Sequence, residues 1–266
     1  RSREKAENTR LNLKKTLQSG NDLTSRVETF VDCRSRKVEE RELFIVEGKS
    51  AMGACVQARN PDFQAIIPVR GKILNCLKSE YDKIFKSEII TDLIKVLGCG
   101  VEVKNKNKEM VTFDLNLLRF SKVIICTDAD VDGFQIRTLI LTMLYRLTPT
   151  LIETGRVFIA ETPLYEITCK KDTYFAYNDR EKAEVLATLG DQKYTIQRSK
   201  GLGENDPEMM SLTTMNPATR RLVRVDPAAA EATAEMFDIL LGDNLNGRKE
   251  YIAAHGAEYL EMVDLS

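Results

Sequence analysis

Tryptophan is absent from the 266 residues, histidine occurs once, at position 255, and proline only seven times. The six cysteines (33, 55, 76, 99, 126 and 169) stand singly, with no C-x-x-C pair and no grouping around His255. That spacing removes both a zinc site and a disulfide framework, and it fits a reducing cytoplasm. A long hydrophobic run is also missing. The longest apolar stretch, Leu139 to Leu147, is too short to span a bilayer and carries Arg146, and no charged-then-apolar leader opens the chain, so a soluble protein with no membrane partner is expected. Neither sign of charge dominates: 39 Lys and Arg face 40 Asp and Glu, so no global basic field advertises a nucleic acid. Local patches remain, at 34–37, 104–108, Arg198 with Lys200, and 220–224, and each reads first as a solvated face.

What is present can bury a sizeable core, as one large domain or two smaller ones. The first residue is Arg1 rather than Met, inside a charged helical pattern (Lys5, Arg10, Leu11, Leu13, Lys14, Leu17), as in a piece cut from something longer. The most informative stretch is Lys122-Val-Ile-Ile-Cys-Thr-Asp128-Ala-Asp130-Val-Asp132-Gly133, where an apolar strand delivers three carboxylates at alternate positions into a glycine turn. Side chains two apart on an extended chain share a face. Such charges repel unless a cation sits among them, and carboxylates without thiols or imidazoles select hard Mg²⁺, Mn²⁺ or Ca²⁺. An EF-hand loop shares the D-x-D-x-D-G opening, but its twelfth position, which needs a bidentate Glu, is Leu139. A haloacid-dehalogenase-type phosphatase shares the strand and D-x-D, but Asp132 stands where Thr or Val is usual. An acidic turn at a strand end is the bland alternative, and it requires fewer aligned acids.

Periodicity alternates strands and helices. Strands are expected at Glu42 to Val46, Phe63 to Val69, Lys122 to Thr127 and Arg156 to Ala160. Helices are expected at Ser50 to Arg59, Ser79 to Leu97 and Phe134 to Glu153, with Lys106 to Lys108 in a polar loop. This order argues for an α/β protein with a parallel sheet flanked by helices, in which ligands bind beyond the carboxyl ends of the strands. After Thr162 an antiparallel pair, a helix, a further strand near Tyr194, a helix opened by Pro207, a strand at Arg220 to Val225 and two closing helices form a smaller α+β tail. Its apolar stripe at Met236, Ile239 and Leu240 reads as core.

Glu47 follows the first strand directly and precedes Gly48. Two strand ends, one with a Glu and one with the Asp cluster, could meet at one site. There Glu47 would be a further metal ligand or a proton-transfer group; otherwise it only favours the positive end of the helix near Ser50.

Four segments in order, Glu47-Gly-Lys-Ser-Ala51, Pro68-Val-Arg-Gly-Lys-Ile-Leu-Asn75, Thr127-Asp-Ala-Asp-Val-Asp-Gly133 and Lys200-Gly-Leu-Gly-Glu204, resemble the signatures of the TOPRIM half of type IIA topoisomerases. In that family the half belongs to the gyrase B and topoisomerase IV B subunits. The resemblance runs the length of the chain. It implies a lead-in at 1–40, a TOPRIM metal-binding domain at 41–162 and a tail domain at 163–266. It also implies a DNA-cleavage core in which this chain supplies Mg²⁺, with Mn²⁺ or Ca²⁺ as substitutes, while a partner A subunit provides the attacking tyrosine in an A₂B₂ assembly on double-stranded DNA. By the same resemblance Glu47, Asp128 and Asp130 match the metal acids, Glu47 is also the general acid/base, and Asp132 matches a third acid. Arg70, Lys72 and Lys200 match DNA-proximal segments, and the tail docks the A subunit and DNA. ATP would serve strand passage through a module upstream of Arg1, since no G-x-x-x-x-G-K-[ST] loop occurs here.

The chain departs from the pattern at Lys49, where Asp is usual, at Met52, where Gly is usual, at Phe134-Gln135 in place of Ala-His, and at Ser199 in place of Tyr. These changes spare the principal acids and point to a divergent paralogue with its own metal or drug response. Two other readings stay open on the sequence. One is a stand-alone TOPRIM or D-x-D phosphotransfer enzyme, primase-like or a nuclease, which leaves R-G-K-I-L-N and K-G-L-G-E unexplained. The other is a non-catalytic scaffold for an A-like partner, which Lys49 makes conceivable.

Overall fold

Five strands form the central sheet of the computed structural model, which describes residues 27–105, 108–198, 201–227 and 230–262. They are β1 (Glu42–Glu47), β2 (Gln64–Val69), β5 (Lys122–Cys126), β6 (Val157–Glu161) and β10 (Arg221–Arg224), in the order β10-β6-β5-β1-β2. The four from the first part of the chain are parallel, and β10 adds antiparallel to β6. The fold is thus mixed α/β, with the tail completing the sheet on one edge. On the other edge, Val31 in the lead-in makes an antiparallel bridge to Ile66 of β2.

The strands read as near-continuous apolar runs because both faces are covered. Leu43, Ile45, Val123 and Ile125 face a core shared with α3 (Glu88–Leu97) and α4 (Val131–Leu147). Phe44, Val46, Ile124 and Cys126 face the opposite core, covered by α1 (Gly48–Ala58) together with Leu202, Met210 and Met215 of the tail. Each residue of β1 from Leu43 to Val46 is fully buried. Fully burying one such side chain is worth about 1.5–3 kcal/mol.

Several expected elements are divided in the structure. The helix expected across 79–97 is a short α2 (Tyr81–Ile84) followed by α3. The helix expected to reach Glu153 stops at Leu147, and α5 (Pro149–Glu153) starts anew, because Pro149 disfavours helical backbone at Thr148. Of the polar loop expected at Lys106 to Lys108, residues 106 and 107 lie outside the described residues, while Lys108 opens β4 (Lys108–Val111), which pairs with β3 (Glu102–Asn105). Leu139 is buried in mid-helix, which disposes of the EF-hand. Arg146, the one charge in the apolar run, donates to the Leu77 carbonyl at 2.6 Å and to that of Cys76.

In the tail, β7 (Tyr165–Cys169) lies between β8 (Asp172–Ala176) and β9 (Thr195–Arg198) in an antiparallel sheet closed by α6 (Asp179–Leu189). A short α7 (Pro207–Met210) is capped by Asp206, and α8 (Ala230–Leu241) and α9 (Leu245–His255) follow. Phe237 stacks on Tyr145 at 4.2 Å and fixes α8 against α4. Met236 and Leu240 on the same helix are 36% and 39% exposed, so the stripe expected as core is instead partly at the surface. No described helix is long and apolar enough to cross a membrane.

Candidate metal centre

β1 and β5 are neighbours in parallel register, with Val46 opposite Cys126, so the residues that follow each strand emerge side by side at the carboxyl edge. Gly48, at φ +73°, permits β1 to turn straight into α1. Glu47 occupies the cap position of that helix, yet its side chain makes no cap hydrogen bond. Its carboxylate reaches across to β5 instead, with Oε2 3.4 Å from the backbone N–H of Asp128. Glu47 thus makes no hydrogen bond to the end of the helix it precedes.

On the β5 side the turn is held by the acids themselves. Asp130 caps α4, its Oδ1 accepting from Gly133 N–H at 2.7 Å. A Cβ on residue 133 would fall 2.1 Å from the Asp128 carbonyl oxygen, which is why glycine closes the motif. Asp128 Oδ1 accepts from Leu202 N–H at 2.8 Å. The Gly201-Leu-Gly-Glu204 segment thereby packs over the acids and the start of α1, with Leu202 buried behind it. Thr127, between strand and acids, is fully buried with its hydroxyl unpaired among the described residues.

Electrostatics couple the carboxylates. Burial raises the pKa of Glu47, and Asp128 raises it further; the Asp128 N–H partly offsets both, and Asp130 and Asp132 add to the rise. Burial likewise raises that of Asp128, against the Leu202 N–H, and Asp130 and Glu204 push it up further. Glu47 and Asp128 thus cost more to ionise, through burial first and through neighbouring carboxylates second. Glu204 is not among the expected site residues, although it ends the K-G-L-G-E segment, and its carboxylate there is the available signal.

The expected site residues divide into three groups. Glu47 and Asp128 come together, with Asp130 within electrostatic reach of both. Asp132 and Lys72, expected at a metal and at DNA respectively, are joined to each other, Lys72 Nζ lying 2.8 Å from Asp132 Oδ1. Arg70 is exposed at the end of β2 beside the Gly71 turn, and Lys200 lies outside the described residues. The donor set suits a hard divalent cation, since every group in the patch offers carboxylate oxygen and the lone imidazole, His255, sits far along the chain beside Glu258. Among the described residues no three acid, thiol or imidazole groups stand close enough to enclose an ion as they are placed. The acids are gathered at one edge, where Asp132 is paired with Lys72.

The sequence profile of the Toprim domain matches residues 42–162, the span that contains β1, β5 and all the gathered acids except Glu204. The profile described as DNA gyrase B subunit, carboxyl terminus, matches 191–253. The chain is similar, over these two spans in this order, to the Toprim and carboxyl-terminal parts of DNA gyrase B proteins. It is 45% identical over 233 residues to the DNA gyrase B protein of Thermotoga maritima, covering 88% of this chain and 35% of that protein. Against its Clostridium acetobutylicum counterpart identity is 45% over 241 residues, 90% of this chain and 37% of the other. Against that of Thermus thermophilus it is 44% over 233 residues, 88% and 36%. The chain spans little more than a third of the length of these relatives.

The basic patch at 220–224 proves to be structural in part. Arg220 is buried and binds Glu42 of β1 through two 2.6 Å hydrogen bonds. Arg221 pairs with Glu181 at 2.9 Å and lies over the Tyr177 ring, and Arg224 pairs with Asp226.

Proposed function

We propose that this chain supplies the carboxylates of a magnesium-dependent DNA cleavage and rejoining centre of a type IIA topoisomerase. It would work with a tyrosine-bearing A subunit on double-stranded DNA, as A₂B₂ in the whole enzyme and in the cytoplasm. One observation carries the reading: Glu47 and Asp128 leave adjacent parallel strands, and the Glu47 carboxylate reaches the Asp128 backbone N–H at 3.4 Å, where burial and neighbouring acids raise the proton affinity of both side chains. Glu47, Asp128 and Asp130 would hold the ion, with Mn²⁺ or Ca²⁺ as substitutes for Mg²⁺. A bound divalent cation lowers the cost of charge on the non-bridging and departing oxygens when a tyrosine oxygen attacks phosphorus.

The chain's own groups have distinct parts in this scheme. Glu47 is half-buried, and its elevated affinity for a proton suits a group that gives one to the departing 3′ oxygen and takes it back on rejoining. Asp128 is oriented by Leu202 N–H, so the tail segment that covers the acids also aims one of them. Arg70, Lys72 and Lys200 would meet backbone phosphates. Exchanging a phosphodiester for a phosphotyrosyl ester nearly conserves bond energy, so rejoining needs no nucleotide. ATP use belongs to strand passage and to a module outside these residues.

The test mixes the chain with candidate A subunits, supercoiled DNA and Mg²⁺, and scores protein-linked breaks. Breaks that require the A subunit and vanish in Glu47→Ala and Asp128→Ala are the expected result. Metal-dependent cutting by the chain alone would favour a solitary nuclease. Breaks unchanged in both variants would leave it a non-catalytic partner of the A subunit.

A further inference from the structure

The ion pair between Lys72 and Asp132 joins two groups whose chemistry points in opposite directions. Asp132 sits in the first turn of α4 among carboxylates, and Lys72 follows the Gly71 turn after β2. Their separation is 2.8 Å, and their side chains are 51% and 69% exposed, so solvent, a cation or a phosphate can reach either. A pair this exposed is weak and exchangeable. Asp132 lies near enough to Glu47 to act on it electrostatically, so a cation drawn to the gathered acids also competes with Lys72 for Asp132.

We propose that Lys72 is a built-in counter-ion of the acid patch, exchanged on loading: a divalent cation takes Asp132, and the released lysine takes a DNA phosphate. This rests on the metal reading above and adds to it a coupling between metal and DNA binding through one ion pair. Linkage makes the coupling reciprocal, so DNA raises the affinity for the cation by the factor by which the cation raises that for DNA.

The exchange has a distinctive signature in single and paired variants of the full chain, without any A subunit and so without cleavage. Mg²⁺ affinity is measured by calorimetry, and binding of a fluorescent duplex by anisotropy, with Mg²⁺ or with chelator. Lys72→Gln is expected to tighten Mg²⁺ binding about two- to fivefold in the absence of DNA, since the internal competitor is gone. Asp132→Asn is expected to tighten duplex binding by a similar factor in chelator, since the lysine is already free. In either variant, and in the two combined, the metal–DNA coupling factor falls toward one.

Weaker or unchanged Mg²⁺ binding in Lys72→Gln would overturn the proposal. So would strictly additive effects in the pair, or no duplex binding at saturating Mg²⁺. The underlying metal reading fails separately, if Glu47→Ala and Asp128→Ala bind Mg²⁺ as the unaltered chain does.

Discussion

Replacing Arg220 by methionine should cost the protein about 3 kcal/mol, because it strips a buried carboxylate of its main partner. Arg220 and Glu42 are 5% and 4% exposed, and two hydrogen bonds of 2.6 Å join them. Breaking one side of such a pair typically costs about 3–5 kcal/mol, since a charge is left buried and uncompensated. The lower end applies here, because Lys122 at 3.2 Å and the Gln64 amide at 3.1 Å still reach Glu42. At about 2–4 °C per kcal/mol, the melting temperature should fall by roughly 6–12 °C at pH 7, read by circular dichroism. Adding Glu42→Gln should recover most of that loss, because no buried charge then remains. Acidity supplies the control. Burial raises the Glu42 carboxyl, but Arg220, Gln64 and Lys122 together outweigh it and hold it below the ordinary range. A depressed value stabilises the fold above the unfolded pKa of about 4.3 and ceases to do so as pH falls through the folded one. The gap between Glu42→Gln and the unaltered chain should therefore narrow on acidification below about pH 4. A change in melting temperature under about 2 °C for Arg220→Met would refute the argument.

Three further outcomes follow from the same geometry. Gly133→Ala should distort the acid turn, since its Cβ has only 2.1 Å to the Asp128 carbonyl oxygen, and Mg²⁺ affinity by calorimetry should drop at least tenfold. Lys49→Asp should raise stability by about 0.3–1 kcal/mol in low salt, because α1 has no acid in its first turn and a lysine opposes the positive end of the helix; thermal melts with and without 0.5 M salt check this. Phe237→Ala should destabilise α8 by about 1–3 kcal/mol by removing the stack on Tyr145, seen as faster proteolytic clipping near residues 230–241.

The centre of the fold was legible in the sequence because it is locally encoded. β1 and β5 are short runs buried on both faces, and each ends in a glycine-assisted turn that carries acids, so strand, turn and site share one stretch of chain. The capping by Asp130 and the helix break before Pro149 likewise need only neighbours in sequence. What escaped depends on distant partners. Arg220 reads as one cation in a basic run until Glu42, 178 positions away, claims it. The ion pair of Asp132 with Lys72, which reaches it from the far side of β1, has no signal in the residues around either. The hairpin of β3 and β4 is stabilised by pairing between strands of polar composition, which carry no apolar alternation to betray them. Glu204 joins the acids only because the tail folds back over the carboxyl edge, a contact that no local pattern records.

A manganese titration watched by electron paramagnetic resonance asks most directly whether Glu47 and Asp128 share one hard cation. If they do, the free-ion signal is suppressed by the unaltered chain and restored by excess Mg²⁺. Glu47→Gln and Asp128→Asn should each weaken binding at least tenfold, and the two together should weaken it by less than the product. Equal suppression by all four proteins would mean that the acids at the ends of β1 and β5 do not hold an ion in common.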